Sequence, residues 1–258
     1  MQKISAVLIT LNAGEILRTT LQALSWCDEL VVVDSGSTDQ TLQICQEHGC
    51  RVEYRKFTGY GEQKRFAVEL ASHDWILSVD ADEVVTDQLR AEIQAVLSQT
   101  APTHVGYYVR IPLMFLGARI KSEASKKFLR LFNKQFGNYD TAAVHEKVRL
   151  NGTLGDLKGE MLHYSYKDIQ DYFRKMNQYS TAAAMSLHEK KKEVPFALMV
   201  LKCPIAFFKT YLIKGCIWNG VPGFIYSFFS GFYPMMKYAK LWEANHNASN
   251  PNKQSTGF

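Results

Sequence analysis

Residues 75–85 read WILSVDADEVV, an apolar run that ends by placing Asp80, Asp82 and Glu83 within four consecutive positions. An apolar run of this length followed by polar residues predicts a buried strand. Asp80 and Asp82, which are separated by a single residue, are close enough to share a divalent cation, and oxygen ligands suit Mg²⁺ or Mn²⁺. Without a cation, their repulsion would raise the pKa of at least one of them. The alternative is that Asp80 or Asp82 caps a helix beginning near Thr86, with Glu83 as a solvated neighbour.

Apolar runs upstream of this segment alternate with helical patterns. Residues 4–10 and 30–33 predict strands, and residues 15–24 and 40–49 predict the helices that follow them. This alternation predicts an α/β fold with a mostly parallel, Rossmann-like sheet flanked by helices. Ligands of such sheets bind beyond the carboxyl ends of the strands. Three predicted strands end in polar residues at that edge: Thr10 with Asn12, Asp34 with Ser35, and Asp80 with Asp82.

The composition excludes several classes of protein. The 258 residues are 47% hydrophobic and carry a net charge of +5, which predicts a globular chain without a nucleic-acid partner. The motifs G-x-G-x-x-G after the first strand and G-x-x-x-x-G-K-[ST] are absent, so neither dinucleotide-binding nor P-loop chemistry is supported. The five cysteines form no C-x-x-C pair, and the first apolar run is too short for a signal peptide. Both features predict a cytoplasmic location.

The pattern changes after about residue 100. Mixed or antiparallel strands are predicted from there to about residue 166, and helices after it. We therefore expect residues 1–100 and 101–166 to be two halves of one α/β domain. Residues 167–245 are expected to form a helical, amphipathic appendage, and residues 246–258 a flexible tail.

Positive charge and aromatic area are concentrated together in the appendage. Residues 190–240 contain eight lysines and one acid, and residues 196–242 contain 13 of the 32 aromatic side chains. The apolar stretch 195–218 approaches transmembrane length, but three lysines interrupt it, and a lysine at the bilayer centre costs about 3 kcal/mol. Lys202 and Lys209 share a helix face, so we expect a peripheral, monotopic attachment to anionic lipid. The alternative is packing against the α/β domain or a second subunit.

Several motifs resemble a known enzyme family. The stretches VLITLNAGE (7–15), VVVDSGSTDQT (31–41) and DWILSVDADE (74–83) are similar to the nucleotide-sugar-binding half of inverting family 2 glycosyltransferases of the GT-A fold. The third of these, together with AVHEKV (143–148), LHYSYKD (162–168) and GVPGF (220–224), resembles the lipopolysaccharide inner-core β-glucosyltransferases. The resemblance implies a nucleotide-sugar-binding half over residues 1–100 and an acceptor-binding half over residues 101–166.

The resemblance also implies roles for residues of the nucleotide site. Thr10, Asn12 and Glu15 would line the nucleotide pocket, and Asp34 would hydrogen-bond the base or ribose. Lys64 would lie near the nucleotide or its phosphates. Asp80 and Asp82 would handle the ribose and a diphosphate-bound Mg²⁺ or Mn²⁺. Many relatives carry a second acid after the first aspartate of the second strand, where this chain has Ser35.

The catalytic base must deprotonate the acceptor hydroxyl on the opposite face of the sugar. The resemblance favours Glu146 for this role, with Asp140 as the alternative. A histidine at either position is more often structural than a metal ligand, yet His145 or His163 could supply a third metal contact. Arg130 is either a phosphate clamp or an arginine at the edge of the core.

The function implied by the resemblance is transfer of a hexose. The donor would be UDP-glucose, and the acceptor a lipid-anchored saccharide, the inner-core heptose of lipopolysaccharide, at the inner face of the cell membrane. One alternative is a related transferase with another glycolipid or polysaccharide acceptor. Another alternative is a nucleotidyltransferase. Such enzymes carry a phosphate-binding loop after the first strand, and the segment TLNAGEILR of this chain does not contain one. The last alternative is a membrane-bound scaffold with a degenerate transferase fold.

Overall fold

The computed structural model describes residues 2–123, 126–142 and 146–249. The described residues fall into two compact units. The first lies within Met1–Leu113 and Ala124–Tyr164, and the second within Met114–Glu123 and Ser165–Phe258.

Twelve strands occur in the described part of the chain. They are β1 (Ile4–Thr10), β2 (Glu29–Asp34), β3 (Arg51–Tyr54), β4 (Trp75–Ser78), β5 (Glu83–Val85), β6 (Gly106–Arg110), β7 (Met114–Phe115), β8 (Ala118–Arg119), β9 (Lys127–Asn133), β10 (Gly137–Tyr139), β11 (Val148–Leu150) and β12 (Leu154–His163). All except the β7–β8 hairpin belong to the first unit.

The first unit is built on an eight-stranded sheet with the strand order β3-β2-β1-β4-β9-β6-β12-β5. The first four of these strands are mutually parallel, which confirms the predicted α/β fold of the N-terminal half. Strand β9 runs antiparallel to both of its neighbours, β4 and β6. Strand β12 is parallel to β6 and antiparallel to β5. The sheet is therefore parallel where the chain alternates strand and helix, and mixed beyond β4.

Four helices accompany this sheet: α1 (Glu15–Ala23), α2 (Thr41–Glu47), α3 (Tyr60–Leu70) and α4 (Asp87–Leu97). The cap of α4 is Thr86, whose Oγ1 accepts a hydrogen bond from the Leu89 amide at 3.3 Å. The alternative, in which Asp80 or Asp82 caps this helix, is therefore wrong. Residues 75–85 also contain two strands, because the chain turns after Ser78 and Glu83 begins β5 at an edge of the sheet, separated from β4 by β9, β6 and β12.

The core has one hydrophobic cluster on each face of the sheet, because successive strand residues point to opposite faces. In β4, Leu77 belongs to the cluster that includes α1 and α4, whereas Ile76 belongs to the cluster that includes α3. Both side chains are fully buried. Packing on both faces holds the end of β4, and hence the acidic turn that follows it.

The second unit is helical apart from the β7–β8 hairpin. Its helices are α5 (Ile169–Glu189), α6 (Phe196–Phe208) and α7 (Gly220–Ser249), with a π-helical turn at Lys209–Ile213 and a 3₁₀ turn at Cys216–Asn219. Helix α7 packs against both α5 and α6. Among the described residues, one helical stretch, Phe196–Ile213, is long and apolar enough to cross a membrane. It has 18 residues, a mean hydropathy of 1.6, and only 6% of them buried.

Candidate active site

Asp34, at the end of β2, organises the turn that follows it. Its Oδ1 accepts hydrogen bonds from the amides of Gly36 at 2.9 Å and Ser37 at 2.8 Å. Its Oδ2 accepts from the Thr10 hydroxyl at 3.0 Å and from the Ser37 hydroxyl. Burial alone would raise the pKa of Asp34, but these hydrogen bonds hold that pKa below its usual value. The ionised carboxylate therefore shapes the turn, and its contact with a nucleotide stays a prediction.

The loop after β1 is tied to the same turn. Asn12 has a left-handed backbone (φ 51°), its amide donates to the Ser37 hydroxyl, and its Oδ1 accepts from the Thr38 amide, both at 2.8 Å. Glu15 opens α1 as an exposed side chain paired with Arg18 at 3.2 Å. Hydrogen bonds thus hold Thr10, Asn12 and Asp34 together where the loops after β1 and β2 meet. Glu15 lies next to these loops and is exposed to solvent.

Five charged side chains meet at the carboxyl end of β4; we call them the charge cluster (Lys64, Asp80, Glu83, Arg130 and Glu146). Lys64 Nζ lies 2.8 Å from Asp80 Oδ1 and 2.9 Å from Glu146 Oε1. Arg130 Nη2 lies 2.7 Å from Asp80 Oδ2 and 2.6 Å from Glu83 Oε1. Asp80 therefore contacts both cations, one through each carboxylate oxygen.

Three members of the cluster are well shielded from solvent, whereas the side chains of Asp80 and Glu146 are 30% and 16% exposed. The side chains of Lys64 and Arg130 are 9% and 7% exposed, and that of Glu83 is 2% exposed. Burial favours the neutral form of Asp80, but Arg130 and Lys64 outweigh it and hold the Asp80 pKa well below its usual range. Burial raises the pKa of Glu83 to about 7. The charge of Asp80 adds to this rise, and the charge of Arg130 opposes it. Burial lowers the pKa of Lys64, but the nearby Asp80 reverses the direction and raises it overall.

These contacts change the interpretation of the D-x-D segment. The repulsion that a metal was expected to relieve is already compensated at Asp80 by Lys64 and Arg130. Asp82 stands apart from them, with Oδ1 at 3.3 Å from His163 Nε2 and a side chain 32% exposed. Burial lowers the pKa of His163, but the hydrogen bond and charge of Asp82 raise it overall.

The fit of a divalent cation follows from these donors. No group of three His, Cys, Asp or Glu side chains suited to a metal occurs in the part of the chain that the structure describes. His145 lies outside the described residues. Because Mg²⁺ is commonly bound through one or two carboxylates plus substrate phosphates, the partly exposed Asp82 carboxylate fits a cation that arrives with a diphosphate. The described residues do not form an all-protein metal cage.

The two candidate bases have different surroundings. Asp140 Oδ1 accepts from the Lys147 amide at 3.0 Å, and Oδ2 lies 3.4 Å from Arg149 Nε. The Lys147 amide is the main cause that lowers the pKa of Asp140. Asp140 thus contacts residues close to it in the sequence, Lys147 and Arg149. Glu146 instead contacts Lys64 in the charge cluster.

A glycine explains how the Glu146 loop comes so close to the helix that carries Lys64. The Gly61 amide donates to the Ala142 carbonyl at 3.1 Å. A Cβ at Gly61 would lie 2.4 Å from the Asp140 carbonyl oxygen and 2.6 Å from that of Ala142. Only glycine permits this approach without displacement of the loop.

Two further residues, Glu83 and Gln63, contribute to the site, and Glu83 is buried rather than the solvated neighbour of the capping alternative. Glu83 anchors Arg130 and accepts a hydrogen bond from the Asp80 amide at 2.9 Å. Gln63 is fully buried and donates to the Ser35 hydroxyl at 3.0 Å and to the Arg55 carbonyl at 2.8 Å, which links α3 to the turn after β2. The only signal for either was its place in the chain, beside Asp82 and Lys64 respectively.

The family model described as Glycosyl transferase family 2 matches residues 5–147, and the chain belongs to this family. The protein is 31% identical over 258 residues to the lipopolysaccharide core biosynthesis glycosyltransferase LpsC of Rhizobium meliloti, covering 96% of this chain and 95% of that protein. It is also 31% identical to an uncharacterized glycosyltransferase of Rickettsia felis, covering 95% and 91% of the two chains. The predicted family membership is confirmed.

Among solved structures, the chain resembles Staphylococcus aureus TarS 1–349 in complex with UDP-GlcNAc. The TM-score is 0.47 at 14% identity, over 96% of this chain and 92% of that chain.

Proposed function

We propose that the protein transfers glucose from UDP-glucose to a lipid-anchored saccharide, the inner-core heptose of lipopolysaccharide. The observation that carries the proposal is the charge cluster, with two buried cations among three carboxylates at the carboxyl end of β4. The lipopolysaccharide acceptor is supported by the similarity to LpsC along nearly its whole length. Transfer within this family to another glycolipid or polysaccharide is the second candidate.

The charge cluster supplies what inverting transfer requires. Glu146 takes the proton of the acceptor hydroxyl, whose oxygen forms a bond to the anomeric carbon as the bond from that carbon to the diphosphate breaks. The electron pair leaves with the nucleoside diphosphate. Lys64 and Arg130 are cations in a shielded site, where they stabilise the charge that develops on that phosphate. A divalent cation bound at Asp82 would add Lewis-acid stabilisation of the leaving diphosphate.

The donor's nucleotide would bind the joined loops after β1 and β2. Thr10, Asn12 and Glu15 line this pocket in our proposal, and Asp34 keeps the turn in shape. Support comes from the hydrogen bonds that hold the two loops together. A preorganised backbone reduces the ordering cost of binding.

Donor turnover tests the metal role of Asp82. We expect release of UDP from UDP-glucose to require Mg²⁺ or Mn²⁺ and to fall by about 100-fold in Asp82→Ala, in line with losses on removing one group that stabilises transition-state charge. The measurement is coupled UDP release with each metal and with chelator. Asp87→Ala is the matched control, because Asp87 is an exposed acid on the first turn of α4. Turnover in Asp82→Ala equal to that of the control would refute the assignment.

The attachment of the protein to membrane is proposed from the surface of α6. Leucine, isoleucine and phenylalanine side chains recur every three or four residues and are 40–59% exposed; we call them the apolar stripe (Leu198, Leu201, Ile205, Phe208 and Leu212). Lys202 and Lys209 lie beside this stripe on one flank of the helix. An exposed apolar face flanked by lysines fits a helix lying in the interface of an anionic bilayer. The bilayer proposed is the inner face of the cell membrane, where the acceptor is anchored.

Vesicle flotation tests this attachment. We expect the full-length protein to float with anionic vesicles, and Leu201→Glu/Ile205→Glu to lose most of this binding, because burying each side chain stabilises the bound state by about 1.5–3 kcal/mol. Lys202→Glu/Lys209→Glu should weaken binding to anionic vesicles only, at about 1 kcal/mol per lysine.

The control is Leu42→Glu, which replaces an exposed leucine of α2 in the first unit. Sedimentation of the protein without vesicles measures its oligomeric state, and so tests the alternative that this surface packs against a second subunit. Equal flotation of the stripe variant and the control would contradict the proposal, as would a stable dimer that the stripe variant dissociates.

A further inference from the structure

Lys64 holds two acids with different proposed tasks. Its ammonium lies 2.8 Å from Asp80 and 2.9 Å from Glu146. The ammonium therefore occupies Glu146 Oε1, one of the two oxygens that could take the acceptor's proton. In this arrangement the proposed base is therefore engaged rather than available to an acceptor hydroxyl.

We propose that Lys64 couples donor binding to the release of the base. The donor's diphosphate draws the Lys64 ammonium away from Glu146, and the freed carboxylate then accepts the proton of the acceptor. Lys64 in this role contacts the diphosphate directly and also controls when Glu146 is available. The inference rests on the proposed function.

The contacts of the cluster make Glu146 the acid that gives up Lys64. Asp80 has a second cation, Arg130, at 2.7 Å from its other oxygen, so it stays compensated when Lys64 shifts. Glu146 is 16% exposed and precedes β11, whereas Lys64 is 9% exposed on α3. A diphosphate offers several anionic oxygens to a cation, which a single carboxylate does not.

The loop of Glu146 remains attached while its side chain moves. The bond from the Gly61 amide to the Ala142 carbonyl and the contacts of Asp140 with Lys147 anchor the described backbone on either side of residues 143–145. None of these contacts involves the Glu146 carboxylate. Release of Lys64 is therefore compatible with these backbone contacts, and it orders the reaction so that the base becomes available after the donor has bound.

Calorimetric titration with UDP tests this coupling, because a carboxylate that competes for Lys64 opposes diphosphate binding. We expect Glu146→Gln to bind UDP about tenfold more tightly than the wild type, a factor equivalent to about 1.4 kcal/mol. Binding of uridine, which has no phosphate, should not change. Glu69→Gln is the matched control. Glu69 lies on α3, the helix that carries Lys64, and it is an exposed acid that pairs with Arg65.

Lys64→Met completes a double-mutant cycle. In that background we expect weaker UDP binding and no further gain from Glu146→Gln, since the competing pair is already absent. If Lys64→Met does not fold, the comparison of Glu146→Gln with Glu69→Gln still decides. UDP affinity in Glu146→Gln that is equal to the control or weaker would overturn the coupling.

The outcome is separable from that of the proposed function. If Glu146→Gln transfers sugar at the full rate, the assignment of the base fails, whatever the UDP affinity. If transfer collapses while UDP affinity is unchanged, the base assignment stands and the coupling through Lys64 is refuted.

Discussion

Glu146→Gln is expected to lower sugar transfer by about 1,000-fold while the protein still binds donor, because a general base contributes about 10²–10⁴ to the rate. Glutamine keeps the size and the hydrogen-bonding oxygen of the side chain but cannot accept the acceptor's proton. Its partner Lys64 remains compensated by Asp80 at 2.8 Å, so the fold should persist. The measurement is single-turnover transfer to a solubilised acceptor at saturating donor, with thermal unfolding as the check on folding.

Asp140→Asn is the comparison that separates the two candidate bases. The Lys147 amide and Arg149 contact the Asp140 carboxylate and lower its pKa. Asp140 is therefore a weak base. We expect its replacement to reduce transfer by about tenfold or less, through looser positioning of the Glu146 loop. Full activity in Glu146→Gln together with collapse in Asp140→Asn would reverse the assignment.

Arg130→Met is expected to cost about 3–5 kcal/mol of the free energy of unfolding, the typical loss when one partner of a buried ion pair is removed. Arg130 is 7% exposed and contacts Asp80 and Glu83 through the same nitrogen. Without it, the Glu83 carboxyl, only 2% exposed, loses the cation that opposes its raised pKa, so it either holds an uncompensated charge beside Asp80 or takes up a proton. Urea denaturation at neutral pH measures the loss.

A second substitution identifies the cause of that loss. Arg130→Met/Glu83→Gln should recover part of the stability, because the neutral amide no longer needs a cation in a buried site. Arg65→Met is the control; Arg65 is 45% exposed, and its pair with Glu69 should contribute at most about 1 kcal/mol. A loss in Arg130→Met no larger than in this control would show that the buried pairs do not stabilise the fold.

The first four strands of the sheet were predictable because each leaves a local signal. An apolar run followed by a helical pattern specifies a strand and its crossover within about 30 residues, and the predicted strands β1, β2 and β4 are parallel as expected, with β3 added in parallel at the edge. The place of β9 was not predictable in this way. It inserts between β4 and β6, and no local periodicity identifies the partner of a strand that pairs across such a distance.

The acidic segment shows the same division. Its residues predict a buried strand ending in functional carboxylates, and β4 ends at Ser78 just before them. The turn after β4 and the start of β5 at Glu83 depend on β12, which pairs with β5 from far along the chain. That pairing buries Glu83, and burial gives it a raised pKa that nothing in the local sequence indicates.

By itself, the sequence determined the family, the parallel half of the sheet, and the residue types gathered at its carboxyl edge, since these follow from local patterns and short motifs. Only the tertiary structure decided which charges meet. Lys64, Asp80, Arg130 and Glu146 come from four separate segments, and Gly61 lets the last of these approach α3. An ion pair forms only where the two charged groups approach within about 4 Å, so the partners of Asp80 depend on how those segments pack.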